Sequence, residues 1–178
     1  VSATGGILAL DLSTRTGHCY GCLEDAVPIS GVWVLPPMSQ LAGCFVALEN
    51  ELEDAIAFHQ PRLVLSEAPI EKQQTSARLL IGLANQVMAT CYRHRVPCRE
   101  QSVNTMRLAM LGRCHFSEKD PATGKRVNGS ANAKAAVLDW CHRQGWTEVE
   151  DHNEADARVA WAYAKREILR HRERRGRL

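Results

Sequence analysis

No apolar run in this 178-residue chain approaches the ~20 residues a helix needs to cross a bilayer, and residues 1–6 lack the basic region and hydrophobic stretch of a secretory signal. No membrane association is expected, and the cytoplasm is the expected location. The seven cysteines are odd in number and have no secretory context, so they read as reduced thiols. Only Cys19 and Cys22 form a CxxC. No second ligand pair stands at zinc-binding spacing, and residues three apart on a strand point to opposite faces, so structural zinc is not expected. Cys44, Cys91 and Cys141 lie on apolar helical stripes and read as small core residues. A Walker loop, an HExxH pair and a Ser-His-Asp order are also missing, which removes the commonest nucleotide, zinc-protease and serine-hydrolase chemistries. Neither sign of charge is in marked excess, and a formal net charge of +2 identifies no partner.

What is present is ordinary globular material: 45% apolar and 24% charged residues, enough for one domain with a sizeable core. Residues 6–12 (GILALDL) form a short apolar run that ends at an acid and a turn, the pattern of a buried strand. Residues 18–23 and 31–35 complete a predicted three-stranded antiparallel meander. After Pro36 and Pro37 the period changes, with Leu41, Phe45, Leu48, Leu52 and Ile56 at helical spacing. Residues 62–67 (RLVLSE) repeat the buried strand ending in an acid. A second helix from about Thr75 carries Leu80, Leu83, Val87 and Cys91 on one face. A fifth strand is predicted at 96–101, followed by a short helix with Met106, Leu108 and Leu111. Residues 113–132 form a polar loop, long for a compact domain, and two helices follow from about Ala133 and His152. The order βββαβαβααα predicts an α/β fold with a mixed five-stranded sheet flanked by helices, the fourth and fifth strands beside the first.

Two strands end in a carboxylate, Asp11 and Glu67, and in open α/β sheets ligands gather at the carboxyl ends of strands. Asp156 sits among Ala155, Ala157, Val159 and Ala160, whose small size lets the last helix lie close to the sheet. Singly, each acid reads as a turn cap or a surface carboxylate. Together they suit hard divalent cations, Mg²⁺ or Mn²⁺, and two such ions support phosphodiester hydrolysis. Candidate phosphate contacts are Arg113, Lys119, Lys125 and Arg126 in the polar loop. A crowd of arginines at the C-terminus, Arg166, Arg170, Arg172, Arg174, Arg175 and Arg177, either meets phosphate or complements the helix dipole while solvated.

The segments ILALDLSTRTG, LVLSEAPIEKQQTSARLLIGLANQV, NTMRLAMLG with NAKAAVLDWCHRQGW, and DHNEADARVAWAYA together resemble the RuvC family of Holliday-junction resolvases, with a last motif similar to phage-encoded members. The resemblance implies a ribonuclease H-like fold, a homodimer, Mg²⁺ or Mn²⁺ with two ions per site, and paired nicks in four-way or other branched DNA. By position it implies Asp11, Glu67 and Asp156 as catalytic metal ligands, with Lys72 and Lys134 near the DNA. The family places an acid or His three residues before its final aspartate, where this chain has Asn153. On a helix Asn153 and Asp156 are neighbours, so Asn153 is expected to supply a neutral amide oxygen or to position water. Asp151 and Glu154 are the rival ligands, but their spacing reads as a variant capping box.

Two other readings start from the same residues. DLSTRTG also resembles the first phosphate loop of actin-like ATPases and sugar kinases, which need a second such loop and a duplicated domain; neither is found. A DNA-binding module of the same fold with lost or weak catalysis is the other, favoured by Asn153 and opposed by the three acids.

Overall fold

A computed structural model describes residues 5–69 and 74–175. Its centre is a five-stranded sheet in the order β3-β2-β1-β4-β5. The strands are β1 (Ile7–Asp11), β2 (Arg15–Gly21), β3 (Ile29–Val34), β4 (Leu63–Glu67) and β5 (Cys98–Gln101). The first three are antiparallel, whereas β4 runs parallel to β1 and β5 parallel to β4. The mixed α/β sheet therefore forms as the sequence predicts, except that β5 lies outside β4 and does not touch β1. β2 and β3 begin earlier than their apolar residues indicate, at Arg15 and Ile29, because backbone pairing continues through Thr16↔Trp33 and Tyr20↔Ile29 irrespective of side-chain polarity.

Strand alternation assigns the two faces. Leu8, Leu10 and Val64 pack against α1 (Leu41–His59) and α2 (Gln74–Arg93), through Leu48, Leu52, Leu83, Val87 and Cys91. Ile7, Ala9, Leu63 and Leu65 face α3 (Val103–Leu111), α4 (Gly129–Arg143) and α5 (His152–Arg175), through Val103, Val137, Trp140, Val159 and Trp161. Asp11 follows Ile7 and Ala9, and Glu67 follows Leu63 and Leu65, so both acids inherit the α5 face. Cys19, Cys44, Cys91 and Cys141 are buried.

The polar stretch 113–132 corrects the expectation of a plain loop. It holds a short antiparallel hairpin, β6 (Glu118–Lys119) and β7 (Arg126–Val127), and α4 starts at Gly129, four residues before its first buried residue, Ala133. Asp120 stabilises the hairpin turn by accepting the Ala122 N–H at 3.0 Å. Asn132 ties the new helix to the hairpin, its Nδ2 donating to Phe116 O at 3.0 Å and Glu118 Oε1 at 2.9 Å. Such polar anchoring leaves no hydrophobic period to read. Among the described residues no helix is long and apolar enough to cross a membrane.

Candidate active site

Asp11 and Glu67 end neighbouring parallel strands, and the register Leu10↔Ser66 places them side by side, about 4.8 Å apart in the plane of the sheet. Asp156 comes from the second turn of α5, which lies close over β1 and β2 because its contact residues are Ala155, Ala157, Val159 and Ala160. One glycine is required for that approach. Gly17 pairs with Asp11 across the β1–β2 ladder, and a Cβ at Gly17 would fall 1.9 Å from the carbonyl oxygen of Asn153.

The three carboxylates line one cleft with Leu10, Val103, Met106 and Arg107, and the free space there is ≈ 10 Å³, room for one water at most. Burial pushes Asp11 well above the usual carboxylate range, helped by a hydrogen bond with Glu67 and by the charge of Asp156. Burial also raises Glu67, with the hydrogen bond to Asp11 working in the opposite direction. Asp156 is raised by burial, with Arg107 opposing. Arg107 donates from one nitrogen to both oxygens of Asp156, at 2.9 and 3.1 Å, and the two side chains are only 16% and 14% exposed. The acids are thus satisfied by one another and by a guanidinium. Among the described residues no group of three or more His, Cys, Asp or Glu is spaced to hold an ion.

Arg107 carries no signal in the apolar period of α3, yet it follows buried Met106 and lies four residues beyond buried Val103, and a charge on that flank is the cue that was available. His152, one turn before Asp156, is the second residue that sequence reading missed. Its charge favours the Asp156 carboxylate, and its Nδ1 is buried without a hydrogen-bond partner. Asn153, half-buried, closes its backbone on Gly17 and donates its N–H to Asp151 Oδ1 at 2.8 Å.

Asp151 caps α5 through that bond and a second from Glu154 N–H at 3.4 Å, while Oδ2 accepts from Arg15 at 2.8 Å. Burial works to raise Asp151, but the Arg15 and backbone hydrogen bonds prevail and hold it below the usual range. Only half of the capping box forms. Glu154 turns away to accept from Ser30 Oγ at 2.5 Å and from buried Arg158 at 3.5 Å.

Beside the cleft lies an open polar groove of ≈ 330 Å³, lined by Arg107, His115, Phe116, Ser130 and Lys134. Lys134 is exposed and close enough to favour the Asp156 carboxylate. Arg113 stacks over Phe116 with 4.9 Å to the ring centre, and Arg126 donates to Ser117 Oγ at 3.0 Å, so both border the groove. Lys119 and Lys125 are exposed on the hairpin side. Lys72 lies outside the described residues.

No protein-family model and no curated protein matches the chain. Solved structures do. Thermus thermophilus RuvC aligns at 14% identity with a TM-score of 0.67, over 92% of this chain and 96% of its own. The same organism's RuvC in complex with a Holliday junction substrate aligns at 12% identity and 0.67, over 93% and 96%. The yeast mitochondrial Holliday junction resolvase aligns at 14% identity and 0.57, over 93% and 80%. Over more than nine-tenths of its length, the chain shares the fold of Thermus thermophilus RuvC.

Proposed function

We propose that the protein is a divalent-metal-dependent endodeoxyribonuclease that resolves four-way or other branched DNA by phosphodiester hydrolysis. The observation that carries this reading is three half-buried carboxylates, from β1, β4 and α5, pressed together at the end of the sheet beside a cationic groove. Such a cluster is costly unless a cation answers it, and here the cation is the Arg107 guanidinium.

The donor set fits hard divalent cations: Asp11, Glu67 and Asp156 offer only oxygens, and an orphaned polar atom, His152 Nδ1, sits one turn before Asp156. Asp11, Glu67 and Asp156 would hold Mg²⁺ or Mn²⁺, with Asn153 contributing an amide oxygen or a positioned water. A bound pair of ions supplies Lewis-acid stabilisation of charge at the reacting phosphoryl group. The chain's own residues do the rest. Asp11, Glu67 and Asp156 would present their oxygens to the ions. Arg107, which lines both the acid cleft and the adjacent groove, would meet a phosphate there as a fork, with Lys134 as a second positive charge. Arg113, Lys125 and Arg126 extend the positive border along the hairpin.

A homodimer, implied by the family resemblance, belongs to the same proposal because it would bring two sites to one junction. The apolar stripe of α2 is consumed by its own core, and Ile81, Met88 and Tyr92 remain exposed on the helix. The Arg107–Asp156 lock equally favours a second reading, a junction-binding module whose acids never open to an ion. Incubation of a labelled four-way junction with and without Mg²⁺, beside an ATP-hydrolysis assay, decides. Symmetric nicks that require Mg²⁺ support the nuclease, binding without nicks supports the module, and ATP turnover overturns both.

A further inference from the structure

Apart from the acid cleft, a trough of ≈ 620 Å³ lies between the sheet edge and the C-terminal half of α5. Arg62 enters it from the start of β4, Arg99 from the edge strand β5, and Arg172 and Arg175 from the last turn of α5. Register accounts for this convergence. Arg99 pairs with Leu65 and Gln101 with Glu67, so both point to the α5 face, while residues 168, 172 and 175 share one stripe of the helix.

Among the described residues no carboxylate lies within ion-pair distance of these four guanidiniums. Glu167, which also lines the trough, is taken by Arg170 at 3.3 Å and Arg166 at 3.8 Å, which leaves Glu100 as the remaining acid of the lining. Helix-dipole complementarity accounts for Arg172 and Arg175, but not for two strand arginines brought to face them. Like charges gathered around an open trough repel one another unless an anion fills it.

The trough also has a fixed relation to the acids. Its near end is Gln101, in register with Glu67 and bonded by the Tyr163 hydroxyl at 3.3 Å. Its far end, Arg62, lies five residues back along β4, about 16 Å at ~3.3 Å per residue. That is the axial rise of about five base pairs at ~3.4 Å each.

We propose that this trough is a second phosphate-binding surface, one that grips the backbone of a DNA arm about five base pairs from the bond cut at the acid cleft. The proposal rests on the nuclease reading, but its test does not need cleavage. Binding of a labelled four-way junction is titrated with salt in EDTA for the wild-type chain, for the triple variant Arg62→Gln, Arg99→Gln, Arg172→Gln, and for the same positions changed to Lys. All three positions are exposed, and near-ultraviolet circular dichroism checks the fold.

Each lost phosphate contact lowers the slope of log K against log salt by about 0.9, so the glutamine variant is expected to lose about 2.7. The lysine variant keeps the charge and restores the slope, while cleavage at saturating DNA in Mg²⁺ stays within about twofold of wild type for both. A glutamine-variant slope equal to wild type overturns the trough, as does an equal loss in the lysine variant. Binding of a polyglutamate peptide that the glutamine variant loses while its DNA binding stays at the wild-type level overturns it in favour of an acidic protein partner. A wild-type chain that binds no DNA overturns it too. If the slope falls as expected but no junction is ever cut, the trough stands and the nuclease reading fails.

Discussion

Replacing Arg107 with Ala removes the one guanidinium that, among the described residues, answers the half-buried acids. Asp156 would be left 14% exposed, without its two hydrogen bonds at 2.9 and 3.1 Å, and beside Asp11 and Glu67. Breaking a buried ion pair from one side costs about 3–5 kcal/mol. Residual solvent contact and the option of protonating Asp156 place the expected loss at the lower end, about 3 kcal/mol, or a fall in Tm of about 6–12 °C for a chain of this size. The pH dependence carries the sign of the argument. Asp156 is raised in the folded state even with Arg107 opposing, and it rises further without it. A carboxyl raised on folding binds more protons folded than unfolded, so its stabilising effect is fully present below the unfolded pKa of ~3.9 and is lost as pH climbs through the folded value. The deficit of the variant should therefore be small near pH 4 and complete near pH 8. Saturating Mg²⁺ should return about 2.7 kcal/mol at a hundredfold excess over Kd. Thermal unfolding in EDTA and in Mg²⁺ at both pH values is the assay. A variant as stable as wild type at pH 8 in EDTA, or a deficit that ignores pH, refutes the reasoning.

Asp11→Asn, Glu67→Gln and Asp156→Asn should each abolish cleavage while junction binding stays nearly intact, since affinity comes from phosphate contacts elsewhere; a variant that cuts at the wild-type rate removes that residue from the ligand set. Gly17→Ala has no room beneath the Asn153 carbonyl, so it should lower Tm and cut cleavage more than tenfold, and normal activity would show that the close approach of α5 is dispensable. Asn153→Asp should keep activity and reduce the Mg²⁺ concentration required, whereas Asp151→Ala should cost on the order of 1 kcal/mol of cap, read by denaturant unfolding. If Asp151→Asn folds and binds but no longer cuts, Asp151 and not Asn153 is the fourth ligand. Neutralising Arg113, Lys119, Lys125 and Arg126 together should weaken binding across sequences and flatten its salt dependence by about one unit per lost contact; an unchanged slope reduces the hairpin to a solvated feature.

The elements that were legible are those whose side-chain period is set by one buried face. β1 and β4 read as apolar runs closed by an acid, and α1 repeats buried residues at 44, 48, 52 and 56, so local sequence alone placed them and put Asp11 and Glu67 at strand ends. The hairpin and the first turn of α4 were illegible because Asp120 and Asn132 hold them with polar contacts, which have no period. Glu154 looked like half of a capping box and is drawn away by Ser30 and Arg158, partners distant in sequence.

By itself, then, the sequence determined the order of elements, the α/β class and the identity of three acids able to meet at one end of a sheet, because those follow from periods of two and of 3.6 residues. Tertiary structure decided what those acids meet. The pairing of Asp11 with Glu67 depends on a parallel register between strands some fifty residues apart. The seating of Asp156 depends on the absence of a side chain at Gly17 on another strand. The capture of Asp156 by Arg107, and the gathering of Arg62, Arg99, Arg172 and Arg175, join residues separated by dozens of positions. Local pattern cannot carry such relations, since the energy of a charge depends on its burial and on the charges beside it, and packing sets both.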